Sequence, residues 1–152
     1  MKLVSINSEN IDLLNCVMDM IYDEWGSNFS SSKEDKLEKI RNEILKGGRF
    51  PRVYLLRDKN RNIGAFSILE HELEGSDLSP WLACVVVNKK YRGKGYGLVL
   101  LDKIKEVIEN TYSGIYLTTK MNGFYEKIGF NLIKIIDNNG ENNRLYEKIN
   151  QK

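Results

Sequence analysis

The sequence predicts a mixed α/β fold, and three observations support this prediction. Apolar residues recur at helical spacing in the first third of the chain, strand-like runs follow, and a glycine-rich turn joins a buried strand to a helix. The 152 residues suffice for one domain, so residues 1–152 are expected to form a single domain. The predicted order is β-α-α-β-β-β-α-β-α-β-β, which differs from the strict alternation of a doubly wound sheet.

One strand and two helices are predicted first. Residues 2–6 alternate apolar and polar side chains, as a short strand does. The next apolar residues are spaced three or four apart, which marks one face of a helix that ends at Gly26. They are Ile11, Leu14, Met18, Ile21 and Trp25. Ser31 and Glu34 have the spacing of a capping box for the second helix, which ends at Gly47-Gly48.

Three strands follow in the middle of the chain. Residues 52–57 and 63–73 are rich in β-forming side chains and are joined by a polar turn, which predicts a hairpin. Residues 81–87 are apolar at every position, as expected of a central strand that is buried on both faces.

The last third of the chain predicts two helices and three strands. A helix follows the glycine-rich turn, with Leu100, Ile104 and Ile108 on its inner face. The elements after it are a strand at 115–119, a short helix at 123–128, and strands at 132–137 and 144–149. Asn139-Gly140 between the last two strands is a strong hairpin signal.

Composition excludes several classes of protein. Lys and Arg number 23 and Asp and Glu 21, and this net charge of +2 argues against a dedicated nucleic-acid binder. The longest apolar run has seven residues, too few to span a bilayer, and the N-terminus lacks a secretory apolar segment. Cys16, Cys84 and His71 match no metal-binding spacing. We therefore expect a cytoplasmic, reduced protein that holds no metal and does not bind a membrane.

The glycine-rich turn Arg92–Gly97 is the most informative segment. It reads RGKGYG between a buried strand and a helix, an arrangement that directs backbone N–H groups and a helix dipole at one anion. A Walker loop would require Gly-Lys-Ser/Thr, which occurs nowhere in the chain. A dinucleotide fingerprint would require a third glycine at position 98, which is Leu98.

Two motifs in this chain resemble those of the GNAT superfamily of acyl-CoA-dependent N-acyltransferases. Arg92–Gly97 matches R-x-x-G-x-G, and FYEKIGF at residues 124–130 is similar to the family's F/L-Y-x-K-x-G-F signature. The resemblance implies a central, mostly antiparallel sheet, splayed between its fourth and fifth strands, with helices on both faces. It also implies acetyl-CoA as co-substrate.

The resemblance also implies roles for individual residues. The backbone of Arg92, Gly93, Lys94, Gly95, Tyr96 and Gly97 would bind the pyrophosphate, with Arg92 adding a charge near it. Val85, Val86 and Val87 would hold the pantetheine arm beside the strand, and a backbone N–H there could stabilise an oxyanion. Tyr125 would act as the general acid that protonates the departing thiolate.

The general base is left open by the sequence. Some members place a glutamate early on the fourth strand, where this chain has Trp81. Glu72 is the first candidate, with Glu70 on the same face of the predicted third strand, His71 on its other face, and Asp77 beyond it. Water is the remaining alternative, and any of these carboxylates could instead be a solvated charge at a strand end.

The acceptor and the oligomeric state also remain open. The first two helices and their loop usually form the acceptor side of this fold, with Tyr22, Glu24, Trp25 and Phe29 as candidate lining residues. A small-molecule amine and a peptide N-terminus both fit, as do a monomer and a homodimer. The alternative function is a non-catalytic acyl-CoA sensor, which would need the turn but not Tyr125.

Overall fold

The computed structural model of the protein describes residues 1–138 and 141–150. These residues form strands β1 Lys2–Ser5, β2 Arg52–Asp58, β3 Arg61–Leu69, β4 Trp81–Val87, β5 Gly114–Thr119, β6 Asn131–Asn138 and β7 Glu141–Ile149, and helices α1 Leu14–Trp25, α2 Lys33–Leu45 and α3 Tyr96–Thr111. Short 3₁₀ turns occur at Ile11–Leu13, Gly26–Asn28, Lys89–Tyr91 and Tyr125–Ile128. The predicted order of elements is confirmed, and its last short helix is a 3₁₀ turn.

The chain divides into two compact units, of which the first contains Met1–Ile68 and Cys84–Leu100. Its strands β1, β2 and β3 pair antiparallel in that order. The predicted hairpin between β2 and β3 is confirmed, because Asp58 is paired with Arg61 across a two-residue turn. The side chains of Asp58 and Arg61 also form an ion pair.

Helices cover both faces of the strands in the first unit. One face of β2, β3 and β4 contributes Val53, Leu55, Ala65 and Val86 to a core with α1. The buried residues of α1 in that core are Leu14, Val17, Met18, Met20 and Ile21. On the opposite face of β3, the side chain of Leu100 in α3 lies against Gly64, where a Cβ would be 3.3 Å from it.

The second unit contains Leu69–Ala83 and the described residues from Leu101 onward. Here β5 pairs antiparallel with β7, and β7 with β6. β4 runs parallel to β5, and among the described residues of this unit their registered pairing is confined to Trp81 and Tyr116. The pairs β1–β2, β2–β3, β5–β7 and β6–β7 are antiparallel, in agreement with the prediction of a mostly antiparallel sheet.

Strand β3 ends earlier than the sequence predicts. It stops at Leu69 instead of residue 73, so Glu70, His71 and Glu72 lie in the following loop and on no strand face. All three side chains are exposed, and Nε2 of His71 is 3.8 Å from a carboxylate oxygen of Glu70. Three consecutive polar residues leave no apolar face to bury, which explains why the strand does not continue.

The N-cap of α2 lies one residue later than predicted. Ser32 caps the helix, because its Oγ accepts the backbone N–H of Asp35 at 3.1 Å. The spacing of serine and acid occurs twice, one residue apart, and local sequence does not distinguish the two. The carbonyl of Ser31 instead accepts the Tyr22 hydroxyl at 3.0 Å.

The C-terminal hairpin is present and longer than predicted. Asn138 of β6 is paired with Glu141 of β7, so β7 begins three residues before the predicted Arg144. The turn predicted at Asn139-Gly140 lies outside the described residues. No helix in the described part of the chain is long and apolar enough to cross a membrane. A single domain over residues 1–152 stays a prediction.

Replacing Gly64 by alanine should destabilise the protein by about 1–3 kcal/mol, the usual cost of overpacking. The added Cβ would lie 2.7 Å from the carbonyl oxygen of Val86, a backbone atom that cannot rotate away. Gly48→Ala is the matched control, because its nearest atom is the Phe50 carbonyl oxygen at 3.6 Å. Urea unfolding measures both changes, and equal midpoints for the two variants would contradict the proposed close contact.

Candidate acetyl-CoA site

The glycine-rich turn adopts the backbone shape that anion binding needs. Gly93 and Gly95 have φ angles of +78° and +83°, a region that side chains disfavour. A Cβ on either glycine would meet no atom of the described chain within 4 Å, so the space beside the turn is open. Helix α3 starts at Tyr96, and the N–H groups of its first turn have no partner within the helix. The turn therefore places the N-terminus of α3 next to an open space.

The last residues of β4 present a backbone edge to a ligand. Asn88 donates its N–H to the Ile63 carbonyl of β3 at 2.8 Å, and the Val86 carbonyl also approaches β3, next to Gly64. Because peptide groups alternate between the two edges of a strand, those of Val85 and Val87 point away from β3. An extended molecule that carries amides could pair with this second edge.

Cys84 holds an unusual backbone conformation immediately before this edge. Its φ is +54°, in the left-handed region, inside a strand whose other residues are extended. Such a residue costs on the order of 1–3 kcal/mol and persists only where its surroundings hold it. Cys84 is half-buried against the core with α1, and neither Cys84 nor Cys16 forms a disulfide.

Arg92 contacts both α1 and the end of β4. Its Nη2 donates to Glu24 Oε2 at 2.6 Å, and its Nε donates to the Val87 carbonyl at 3.1 Å. Both contacts lie within the first unit. A contact of Arg92 with phosphate stays a prediction, and the structure shows the side chain engaged by α1 and by β4.

The other side chains of the turn pack against Tyr91. The ammonium of Lys94 lies 5.9 Å from the ring centroid of Tyr91. The guanidinium carbon of Arg61 lies 5.6 Å from the same centroid. The Tyr96 ring meets Tyr91 edge-on at 6.4 Å. These contacts support the turn from outside, and its backbone supplies the groups suited to an anion.

Tyr125 is buried within an aromatic cluster in the second unit. Only 5% of it is exposed, and its ring lies edge-on to Phe124 at 5.0 Å and to Phe130 at 6.0 Å. Burial raises the pKa of Tyr125 to about 12. The phenol therefore keeps its proton throughout the neutral range, which a general acid requires.

Glu126 holds the 3₁₀ turn that carries Tyr125. Its Oε1 accepts the N–H of Gly123 at 3.1 Å, and its Oε2 accepts the hydroxyl of Tyr146 at 3.1 Å. Tyr146 is fully buried on β7, so this contact ties the turn to the sheet of the second unit. Sequence reasoning missed this role, although the spacing of Gly123 and Glu126 is that of a local cap.

The candidate bases are all exposed. Glu70, His71, Glu72 and Asp77 belong to the second unit and lie in the loop between β3 and β4. Glu72 makes a contact of its own, and the side chains of Glu70 and His71 are close to each other. None of the four is buried beside Tyr125.

Most candidate residues for the acceptor side pack against the loop between α1 and α2 or against the core. Tyr22 packs against Phe29 at 4.9 Å between ring centroids and donates its hydroxyl to the carbonyls of Ser31 and Ser32. Trp25 and Phe29 are half-buried against the core with α1. Glu24 is the exception, because it binds Arg92 of the glycine-rich turn.

The predicted site residues divide between the two units. The first unit brings together Val85–Val87, Arg92–Gly97 and Glu24, through the contacts of Arg92. Tyr125 and Glu72 belong to the second unit. Sequence reasoning could not find the link between Glu24 and Arg92, which are 68 positions apart.

Comparison with known protein families identifies the class. Residues 50–132, more than half of the chain, match the GNAT acetyltransferase domain. The chain therefore belongs to the GNAT family and is an N-acetyltransferase. No curated protein sequence matches the chain.

Solved structures share the fold at low sequence identity. An aminoglycoside 6'-N-acetyltransferase complexed with coenzyme A has a TM-score of 0.70 and 17% identity, over 98% of this chain and 97% of that one. A spermidine N-acetyltransferase chimera from Vibrio cholerae and hSSAT has a TM-score of 0.71 and 15% identity, over 98% and 96%. The protein yncA from Salmonella typhimurium, with its cofactor acetyl-CoA, has a TM-score of 0.70 and 12% identity, over 99% and 95%.

Proposed function

We propose that this protein transfers the acetyl group of acetyl-CoA to a primary amine, by direct attack in a ternary complex, with Tyr125 as general acid. The observation that carries the proposal is the open turn before α3, where Gly93 and Gly95 are both left-handed, in a chain of the GNAT family. The turn would bind the pyrophosphate through its backbone amides.

The pantetheine arm would pair with the ends of β4. Val85 and Val87 direct peptide groups to the edge away from β3, and the arm carries amides that could hydrogen-bond this edge as an added strand does. The Val87 carbonyl also accepts the Arg92 Nε, and its second lone pair could accept from the ligand. Val86 takes part through its position and packing, because its peptide faces β3.

Acetyl-CoA supplies a thioester whose carbonyl carbon accepts the amine and whose sulfur leaves as a thiolate. Tyr125 would donate its phenolic proton to that sulfur and regain one from water. A phenol with a pKa of about 12 is a poor acid for an ordinary thiolate of pKa about 8.5, by about 5 kcal/mol. Burial raises the pKa of a thiol as it raises the pKa of a phenol. A thiol that leaves beside Tyr125 in the same dry surroundings would therefore have a pKa above about 8.5, and the gap between the two pKa values would narrow.

The amine must lose a proton before it attacks. An alkylamine with a pKa of about 10.4 is neutral in about one molecule in 2,500 at pH 7, a deficit of about 4.6 kcal/mol. We propose Glu72 as the base that removes this proton, directly or through water. Its position in an exposed loop leaves it open to solvent and to a substrate that approaches from solvent.

The acceptor would be a small-molecule amine. Structural neighbours are named for aminoglycosides and spermidine, which are small polyamines, and this likeness supports the class without choosing a compound. A peptide N-terminus is the other class that an acceptor panel must contain. The location we propose is cytoplasmic, in keeping with two cysteines that form no disulfide and with the use of acetyl-CoA.

Acetyl-CoA should raise the melting temperature of the wild-type protein, because it binds only the folded turn. Gly95→Glu should abolish that shift, since an anionic side chain would fill the open space and repel the phosphates. Gly75→Glu is the matched control, because Gly75 has a φ of +79° and equally open surroundings. A shift that persists in folded Gly95→Glu protein would remove the proposed phosphate site.

Tyr125→Phe should lower kcat by about 10²- to 10⁴-fold with KM nearly unchanged, because the proton is needed only in the transition state. The ring and its contacts with Phe124 and Phe130 remain, so the melting temperature should change little. Steady-state kinetics on a panel of amines, following release of the CoA thiol, measures the effect. A near-normal kcat together with lost stability would instead identify Tyr125 as a packing residue.

The rate should rise with pH and then stay level. The rise in kcat/KM follows deprotonation of the amine or its base, and a Tyr125 pKa of about 12 leaves the acid protonated up to about pH 11. Glu72→Gln should lower the rate and displace the rise, and His71→Gln should not. The reverse result would make His71 the base, and a fall in kcat between about pH 8 and pH 10 would contradict the acid assignment.

A further inference from the structure

The side chain of Arg92 joins three separate parts of the first unit. It begins at the glycine-rich turn, donates through Nε to the Val87 carbonyl at the end of β4 at 3.1 Å, and donates through Nη2 to Glu24 near the end of α1 at 2.6 Å. One guanidinium therefore sets the distance between the strand end, the helix end and the turn.

Residues 88–91 form the connector between β4 and the glycine-rich turn, and this connector also binds β3. Asn88 donates its backbone N–H to the Ile63 carbonyl at 2.8 Å and its side-chain amide to the Asn62 carbonyl at 2.9 Å. Its Oδ1 accepts the N–H of Lys90 at 3.1 Å. The connector is thus bound to β3 through Asn88 and to α1 through Arg92.

The charge of Arg92 is already balanced in this arrangement. Glu24 neutralises it at hydrogen-bonding distance, and the Val87 carbonyl occupies a second donor. The side chains of Arg92 and Glu24 are 43% and 34% exposed, and ion pairs this open to water contribute little to folding stability. A contact with little value for stability can still hold a binding turn in shape.

We propose that Glu24 is a positioning residue for the acetyl-CoA turn and acts through Arg92, which serves as a strut and not as a phosphate ligand. The inference rests on the proposed function, because it assumes that the turn binds the pyrophosphate of acetyl-CoA. Glu24 keeps the guanidinium on the Val87 carbonyl, and this contact keeps the first residue of the turn beside the end of β4. The backbone amides are then in place before the ligand arrives, which reduces the ordering cost of binding.

The strut and the phosphate-ligand accounts predict opposite effects of removing Glu24. If Arg92 were a phosphate ligand, loss of Glu24 would remove a competing anion and free the guanidinium, so CoA would bind more tightly. If Arg92 is a strut, loss of Glu24 releases the turn, and CoA binds more weakly despite the more favourable charge. The sign of the change in Kd therefore separates the two accounts.

Isothermal titration with CoA should be carried out on wild type, Glu24→Ala, Arg92→Ala and the double variant. We expect each single variant to weaken CoA binding about 3- to 10-fold, and the double variant to be no weaker than either single one. Asp23→Ala is the matched control, because it removes the same charge from the preceding position on α1, which is also exposed. In this control the Kd for CoA should stay the same or fall slightly, because one negative charge has been removed.

Glu24→Gln keeps the length of the side chain and one acceptor oxygen, so it should retain part of the affinity and covers the case in which Glu24→Ala does not fold. Tighter or unchanged CoA binding by Glu24→Gln or Glu24→Ala, with weaker binding by Arg92→Ala, would overturn the strut. Weakening that is fully additive in the double variant would overturn it as well. Failure of the wild type to bind CoA at all would instead refute the proposed function.

Discussion

The close backbone contact between β4 and β3 is the constraint on which the rest of the site depends. It fixes which peptide groups of β4 face β3 and which face the opposite edge. On the edge toward β3, the backbone comes so close at Val86 that position 64 has no room for a side chain. On the other edge, the peptide groups of Val85 and Val87 are directed away from β3, and the Val87 carbonyl accepts the Arg92 Nε there. The left-handed Cys84 stands just before this stretch and interrupts the regular strand. Such an edge would suit the extended, amide-bearing ligand that we propose for it.

The chemistry proposed for Tyr125 depends on packing more than on charge. Its aromatic neighbours exclude water, and this exclusion alone accounts for the raised pKa of the phenol. Glu126 then fixes the turn by accepting from Gly123 and Tyr146, so the hydroxyl is carried on a rigid segment. A proton donor built in this way needs no charged neighbour, and it stays loaded over the whole physiological range.

Features with a strong local period or motif could be predicted from the sequence. The bounds of β4 are those expected from its unbroken apolar run, and the turn before α3 is where its glycines indicate. The predicted ends of β3 and the predicted cap of α2 were wrong, because competing signals lie one or a few residues apart and local sequence does not rank them. The left-handed Cys84 could not be predicted, because no property of a cysteine requires that backbone. The pairing of Glu24 with Arg92 depends on tertiary structure alone.

The glycines of this protein have two different structural roles. Gly64 is required by the fold, since the Val86 carbonyl oxygen occupies the place of a Cβ. Gly93 and Gly95 have empty space beside them, and asparagine tolerates their backbone angles. A descendant that no longer used acetyl-CoA could therefore lose the two turn glycines within a few substitutions and still fold, while position 64 stayed glycine. The pattern of glycine loss among divergent copies of this gene would record when the enzyme activity was abandoned.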